Sequence, residues 1–415
     1  MRRSWRIPFR WQMLLPWLMA TRVAFAGWEF TPPGDPNRNW AASVTSGGSY
    51  DDNFNSTEIN RQAGLRYSSD LVLRANIPLE RLFMGLTYDY GVQYPRDLYL
   101  GGVNESHNVN FSANYTFSPR LTLSLNENYV SSIQPQLVQT QAGVPITVVQ
   151  AGDYVYDNVG GNLSYALTPR WSLGLNGNWD IWRYAVSVVA SNNDREDYQM
   201  TLSALYMLDQ RTTAGINYQY GQNVFTYPGT NNALNAQWHT AYLSVVRRFN
   251  PRLSLQLNGG YTIRESEDGS MGTAPSGSGS LAYNYGPGST ISLILGHTLT
   301  EGSTAGLGFT RQFNASENTS VAFQINHRLT ARLRTMVDAS YVFSTFLIPV
   351  SVSSLSGQDE SLTGHIGVSY AFRDWLSVGL DYYYTRYTQS ISGIPGIPNF
   401  TFDRNQVSLG LSLTY

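Results

Sequence analysis

The eleven residues from Leu253 to Ile263 read Leu-Ser-Leu-Gln-Leu-Asn-Gly-Gly-Tyr-Thr-Ile. Apart from the glycine pair, apolar side chains alternate with Ser, Gln, Asn and Thr. A helix would place Leu253 and Leu255 on divergent faces, whereas a strand places them on one face. The stretch therefore predicts a β-strand with one apolar and one polar face. The same alternation recurs in residues 171–176 and 407–415.

Short, similar turns separate these strands. Phe117-Ser-Pro-Arg-Leu, Leu167-Thr-Pro-Arg-Trp and Phe249-Asn-Pro-Arg-Leu are near copies. Proline suits such a turn because its ring presets φ and its missing N–H lies outside the strand ladder. Arginines of these and related turns stand at positions 81, 120, 170, 211, 252, 332 and 373, and Gly286-Pro287-Gly288 bisects the widest interval. Each repeat holds two strands, one short turn and one long polar loop, whereas a propeller blade holds four strands.

The pattern predicts an all-β fold, a transmembrane up-and-down antiparallel β-barrel of about 18 strands over residues 40–415. Sixteen strands is the alternative count. Short turns on one side and longer loops on the other are typical of outer-membrane barrels, which have an even number of strands. A spanning sheet has to close, because lipid offers no partner to an unpaired backbone group. Residues 301–316 are interpreted as an outer loop.

The composition fits a barrel better than a soluble domain. Charged residues make up 13% of the 415, against about 25% in ordinary soluble proteins. Residues 1–26 are typical of a cleaved secretory signal, with four early arginines, a short apolar core and Ala24-Phe25-Ala26. That core is too short for a spanning helix, which needs about 20 apolar residues. Residues 27–39 are interpreted as a periplasmic leader, and the predicted location is the outer membrane of a Gram-negative cell.

Charge and cysteine content exclude several functions. Residues 1–26 contain five arginines and no acidic residue, which leaves 22 basic and 29 acidic residues and a net charge of −7. This balance argues against a nucleic-acid partner, since phosphate binding needs a basic surface. The chain has no cysteine, so disulfides, thiolate catalysis and thiolate metal sites are excluded.

The polar side of the strands is predicted to line the barrel interior. It is mainly amide and hydroxyl, with few charges of mixed sign, which suits water, sugars and other neutral polar solutes rather than one sign of ion. The candidate lining residues are Arg66, Asp70, Arg74, Asp89, Asn126, Asn176, Asp180, Asn217, Gln256, Arg264, Arg334, Asp338 and Asp381. An inert, merely hydrated interior is the alternative.

The sequence contains no motif for catalysis or for a cofactor. The five histidines are scattered over five predicted strands, and no nucleophile elbow, phosphate loop or paired-histidine metal spacing is present. We predict no enzyme activity, no cofactor and no metal. A Ser-His-Asp group assembled across strands stays an alternative, because geometry rather than sequence defines it. A surface structural or adhesive barrel is a further alternative, favoured if loops 132–153 and 388–402 are ordered and project outward.

Acidic clusters occur where the outer loops are predicted. Asp51-Asp52, Glu265-Ser-Glu267-Asp268 and Asp359-Glu360 supply carboxylates of the kind that divalent cations prefer. They could bind cations that bridge lipopolysaccharide, although solvated loop charges are the simpler interpretation. Outer-membrane lipid and lipopolysaccharide are the predicted surroundings of the barrel.

The opening Gly47-Gly-Ser-Tyr-Asp-Asp-Asn53, the repeated turns and the aromatic end together resemble the β-barrel porin family of Gram-negative outer membranes. The resemblance spans most of residues 40–415 and implies an outer-membrane pore for polar solutes. Members are often linked with exopolysaccharide production and export, so it also implies an accessory role in secretion, with polysaccharide as a partner. The terminal strand with Tyr415 is similar to the signal read by the barrel-assembly machinery, which makes that machinery a predicted partner. The resemblance implies no catalytic residue.

Overall fold

The computed structural model describes nearly all of the chain beyond residue 38. The described residues are 39–53, 56, 58–95, 103–132, 136–141, 144–149, 153–185, 187, 190, 194–226, 235–267, 269, 271–300, 315–347, 356–392 and 399–415. The predicted signal, most of the leader and the predicted loop core at 301–314 lie outside them. Among the described residues, no helix has the length and apolar character needed to cross a membrane.

The described chain forms twenty β-strands. They are β1 Trp40–Asp51, β2 Gly64–Pro78, β3 Leu82–Pro95, β4 Asn104–Ser118, β5 Leu121–Ser132, β6 Gln136–Gln141, β7 Val144–Val149, β8 Tyr154–Ala166, β9 Trp171–Tyr184, β10 Arg195–Asp209, β11 Thr212–Phe225, β12 Ala236–Asn250, β13 Leu253–Ser266, β14 Met271–Gly286, β15 Ser289–Thr300, β16 Ala315–Arg328, β17 Leu333–Leu347, β18 Ser356–Arg373, β19 Leu376–Ser392 and β20 Phe400–Thr414.

Eighteen of these strands form one closed antiparallel barrel. Each pairs with the next in the chain, β5 pairs with β8, and β20 pairs with β1 to close the sheet. The predicted fold class and the count of eighteen are therefore confirmed. β6 and β7 form a separate hairpin in the connection between β5 and β8. Interpreting residues 132–153 as loop alone was wrong, because residues 136–149 include two runs able to pair with each other.

The two faces of the barrel differ in polarity. On β20, Leu409 is 56% exposed while Ser412 is 4% exposed. Successive strand residues point to opposite faces, so the apolar row lies outside and the polar row inside. The same parity holds on β13, where Leu257 and Tyr261 are exposed and Thr262 is buried. The closed sheet is thus apolar outside and polar inside, the inverse of a soluble protein.

The two ends of the barrel also differ. Eight short turns lie at one end, which we call the short-turn rim, and the longer connections lie at the other, the long-loop rim. Side-chain oxygens organise the short turns. Asn250 Oδ1 accepts hydrogen bonds from the N–H groups of Arg252, at 2.8 Å, and Leu253, at 2.9 Å. Thr168 Oγ1 does the same for Arg170 and Trp171, so the repeated turn sequence repeats a hydrogen-bond pattern.

The seam between β1 and β20 is fastened at both ends. At the short-turn rim, Tyr415 N–H donates to Ala42 O at 2.8 Å, and the Tyr415 ring lies 5.2 Å from that of Trp40. At the long-loop rim, Arg404 Nε donates to Asp51 Oδ2 at 2.9 Å, with both side chains buried. Chain closure therefore depends on side chains as well as on the strand ladder.

The β6–β7 hairpin crosses the barrel. Strand β7 comes within 8 Å (Cα–Cα) of β15, β16 and β17. Round the barrel, β16 is the eighth strand after β8 and β17 is the eighth strand before β5. The hairpin therefore leaves one wall and reaches the diametrically opposite one, rather than standing away from the barrel as an adhesive loop would.

Candidate functional site: the polar inner face

All thirteen candidate lining residues lie on the inner face. On β2, for example, Arg66, Asp70 and Arg74 alternate with the exposed Tyr67 and Leu73. The registers place the others on the same side: Asp89, Asn126, Asn176, Asp180, Asn217, Gln256, Arg264, Arg334, Asp338 and Asp381. Contact of these residues with a solute stays a prediction.

Amides form a continuous patch on β4 and β5. Asn110 Nδ2 donates to Asn108 Oδ1, and Asn128 Nδ2 donates to Asn110 Oδ1, both at 2.8 Å. On β8 and β9, Asp180 Oδ1 accepts from Tyr156 Oη at 2.6 Å and from Asn158 Nδ2 at 2.7 Å. Oδ1 of the predicted residue Asp180 thus accepts from two neutral donors, while Asp197, which pairs with Arg195, is its register partner on β10. This part of the wall combines amide and hydroxyl groups with charged groups of both signs.

A charged cluster lies across β17, β18 and β19. His365 Nδ1 lies 3.0 Å from Asp338 Oδ2, and its Nε2 lies 2.8 Å from Asp381 Oδ1. Both contacts are hydrogen bonds at once only when both ring nitrogens carry hydrogen. The imidazole also stacks on Tyr383, with 4.2 Å between ring centroids and 5° between planes. The cluster joins three strands about midway along β18.

Glycine makes room for this cluster. A Cβ at Gly367 would lie 2.4 Å from Asp381 Oδ1 and 3.1 Å from His365 Nε2. The sequence interpretation included Asp338 and Asp381 but missed His365 and Tyr383. The inward position of His365 could have been predicted from the sequence, because it alternates with the apolar Ile366 and Val368, which face outward.

Aromatic rings and arginines lie on the inner face near the long-loop rim. The Arg195 guanidinium lies 5.4 Å from the Trp182 ring centroid, and that of Arg264 lies 5.8 Å from that of Trp238. Tyr154 packs with Trp182 in the same region. Arg264 is only 4% exposed, so a solute would contact the residues that cover it rather than Arg264 itself. These contacts hold the arginines against the wall.

The acidic clusters are partly engaged within the chain. Asp51 accepts from Arg404, and Asp52 Oδ1 accepts from the Asn405 N–H at 2.7 Å. Glu267 Oε2 accepts from Asn235 Nδ2 at 2.7 Å. Cation bridging to lipopolysaccharide stays a prediction. Within the described ranges, no group of three or more His, Asp or Glu side chains is placed to hold a metal ion.

The histidines lie on five strands, as the sequence predicts. Three of them hydrogen-bond to tyrosine hydroxyls, in the pairs His107–Tyr88, His239–Tyr218 and His327–Tyr285. His297 contacts Glu317 and Thr319. The fifth is His365 of the charged cluster. The carboxylates occupy both nitrogens of His365, which leaves it no nitrogen to activate a nucleophile. Among the described residues these contacts include no Ser-His-Asp triad. The absence of enzyme activity stays a prediction.

No family model and no curated protein matches the chain. Among solved structures it is similar to Acinetobacter baumannii OccAB3, at 12% identity and a TM-score of 0.47, covering 91% of this chain and 100% of that one. It is similar to Pseudomonas aeruginosa OccK2 (OpdF), at 14% identity and 0.45, covering 91% and 98%. It is also similar to the siderophore receptor PirA from Pseudomonas aeruginosa, at 10% and 0.44, covering 90% and 80%. Such identities and TM-scores carry no substrate and no activity over to this chain.

Proposed function

We propose that this protein is an outer-membrane channel through which small polar solutes pass. One observation carries the proposal: the eighteen-stranded barrel is closed, apolar outside and polar inside. A closed sheet pairs its backbone groups internally, which lipid requires. Barrels of 16–18 strands leave an aqueous interior. Soluble proteins rarely expose so many large apolar side chains, whereas a barrel in a membrane exposes them to lipid.

The chemistry of the inner face favours uncharged solutes. The Asn108–Asn110–Asn128 patch offers hydrogen bonds from uncharged groups, and Tyr156 and Asn158 donate to Asp180. The charges on this face are of both signs: His365 contacts two carboxylates, and Arg195 pairs with Asp197. A strongly ion-selective pore needs a ring of one sign. Sugars and similar hydroxyl-rich molecules therefore fit this wall better than ions do.

The β6–β7 hairpin sets the size of the passage in this proposal. It crosses between opposite walls and so divides the opening into smaller parts. Replacing residues 136–149 by a short Gly-Ser link should admit larger solutes while leaving the eighteen-stranded sheet intact, because neither β6 nor β7 belongs to that sheet.

Liposome swelling tests the proposal. Purified barrel in vesicles should admit neutral sugars up to a size limit, and the limit should rise in the variant lacking residues 136–149. Folded barrels that admit no sugar with or without the hairpin would contradict the proposal.

A role in exopolysaccharide secretion is the finer proposal, which the family resemblance implies. The neutral inner face supports it, since a saccharide chain presents many hydroxyl groups. Deletion of the gene should then lower the polysaccharide released by the cell, and re-expression of the full chain should restore it. If polysaccharide release is unchanged while purified barrels still admit sugars, the secretion role is contradicted and the channel proposal stands.

A further inference from the structure

Exposed arginines surround the short-turn rim. Six of the eight short turns contain one, and the strand ends beside the turns contribute more. The set is Arg81, Arg120, Arg170, Arg211, Arg247, Arg252, Arg332 and Arg373; Arg248, Arg328 and Arg334 lie at the same end but on the inner face. The exposed acidic residues at the same rim are Glu80, Asp209 and Asp374. Within the described chain, this end of the barrel is strongly basic although the whole protein is slightly acidic.

An exposed apolar side chain precedes most of these turn arginines by three residues. The pairs are Phe117 with Arg120, Leu167 with Arg170, Leu208 with Arg211, Phe249 with Arg252 and Leu329 with Arg332. The turn after β18 places Phe372 and Trp375 on either side of Arg373. The rim is therefore a band of apolar groups next to a band of guanidinium groups, repeated round the barrel.

Local contacts orient some of these arginines. Arg211 Nη1 donates to Phe249 O at 3.2 Å, which ties the guanidinium of one turn to the next turn. Arg247 lies over the Phe249 ring at 5.3 Å.

Every basic residue of the chain is arginine and none is lysine. Guanidinium binds phosphate with two parallel hydrogen bonds, which ammonium does not.

We propose that the short-turn rim binds the phosphate groups of anionic phospholipids in the leaflet that faces it. This goes beyond passage of solutes, although it depends on the membrane location proposed above. Lipid is the partner because each arginine has an apolar neighbour at the level where acyl chains begin. An acidic protein or polysaccharide would match the charge but would leave that apolar band exposed to water. Basic side chains near a membrane surface each add about 1 kcal/mol, or about fivefold, to the binding of anionic lipid.

Native mass spectrometry of the full-length folded barrel in mixed micelles provides the direct test. With phosphatidylglycerol and phosphatidylcholine in equal amounts, the wild type should retain phosphatidylglycerol at least about fivefold more than phosphatidylcholine. Equal retention of the two lipids would overturn the proposal. This measurement needs no variant, so a folding defect cannot obscure it.

Substitutions then locate the site. R120Q/R170Q/R252Q, which alters the three Pro-Arg turns, should lose most of the preference. R61Q/R183Q/R386Q removes three arginines of the long-loop rim and should keep it. An undiminished preference in the first variant, or an equal loss in both, would contradict a site at the short-turn rim. Sugar uptake measured with the same preparations separates failure of this inference from failure of the channel.

Discussion

The two rims of this barrel are built from one sheet but differ in chemistry. The short-turn rim has tight, repeated turns with arginines and apolar side chains. The long-loop rim has more carboxylates than arginines, a buried ion pair at Asp51 and Arg404, and a hairpin that crosses the barrel. In the two proposals above, the short-turn rim contacts lipid and the long-loop rim limits the size of the solutes that enter.

Closure of the seam shows the same difference at the level of single contacts. At the short-turn rim, backbone bonds between Ala42 and Tyr415 and a ring contact with Trp40 close the sheet, with the Tyr415 side chain exposed. At the long-loop rim, buried charges close it. We therefore expect damage at the first end to affect insertion and damage at the second to affect stability.

The largest effect should follow removal of Leu413–Tyr415. The truncated chain loses both seam hydrogen bonds of Tyr415 and part of the exposed apolar row of β20. We expect little or no heat-modifiable barrel in the membrane fraction. Y415F keeps the aromatic ring and the backbone and should insert normally. Normal insertion of the truncated chain would show that the terminal residues do not serve assembly.

The next effect should come from the other end of the seam. R404Q removes the guanidinium that hydrogen-bonds to buried Asp51, which costs about 3 kcal/mol in unfolding free energy. D51N should cost a similar amount, and D51N/R404Q should cost less than the two together, because the double variant lacks both charges of the pair. Urea unfolding of refolded barrels measures all three. Additive costs would mean that the two side chains do not act as a pair.

Midway between the rims, H365A should cost about 2 kcal/mol. The substitution leaves Asp338 and Asp381 without their shared partner and removes the ring that stacks on Tyr383. H297A is the matched control, since His297 lies on the outer face and pairs with one carboxylate. Comparable losses of unfolding free energy in H365A and H297A would contradict a larger contribution of the inner cluster to stability.

The smallest effect should come from a single short turn. N250A removes the acceptor of the Arg252 and Leu253 N–H groups at an exposed site, so about 1 kcal/mol of stability should be lost. T168A should behave alike in its own turn. N250D keeps an oxygen acceptor and should be nearly neutral. Equal loss in N250A and N250D would show that the side-chain oxygen is not what organises the turn.

The alternation around Leu253 and Leu409 predicted the fold well, because period two fixes both the strand and the face of each side chain. The copied turns predicted the strand number for the same reason, since each Pro-Arg turn ends one strand and begins another. Parity also predicted which face holds Asp338 and Asp381. It could not predict their contact with His365, which depends on the register of three strands.

The β6–β7 hairpin could not be predicted from the sequence. Residues 136–149 carry no charge and little alternation, so pattern distinguishes them poorly from loop. Their approach to β15, β16 and β17 depends on the diameter of the closed barrel, which only the complete fold sets. The buried pair of Asp51 and Arg404 was likewise hidden, because the partners lie at opposite ends of the chain.

Single-channel recording in planar bilayers tests the central claim most directly. The wild-type barrel should insert and give discrete conductance steps in neutral buffered salt, with weak selectivity between cations and anions, because the inner face carries charges of both signs rather than a ring of one sign. The variant lacking residues 136–149 should give larger steps. Barrels shown to be inserted and folded, yet without conductance in either form, would contradict the account.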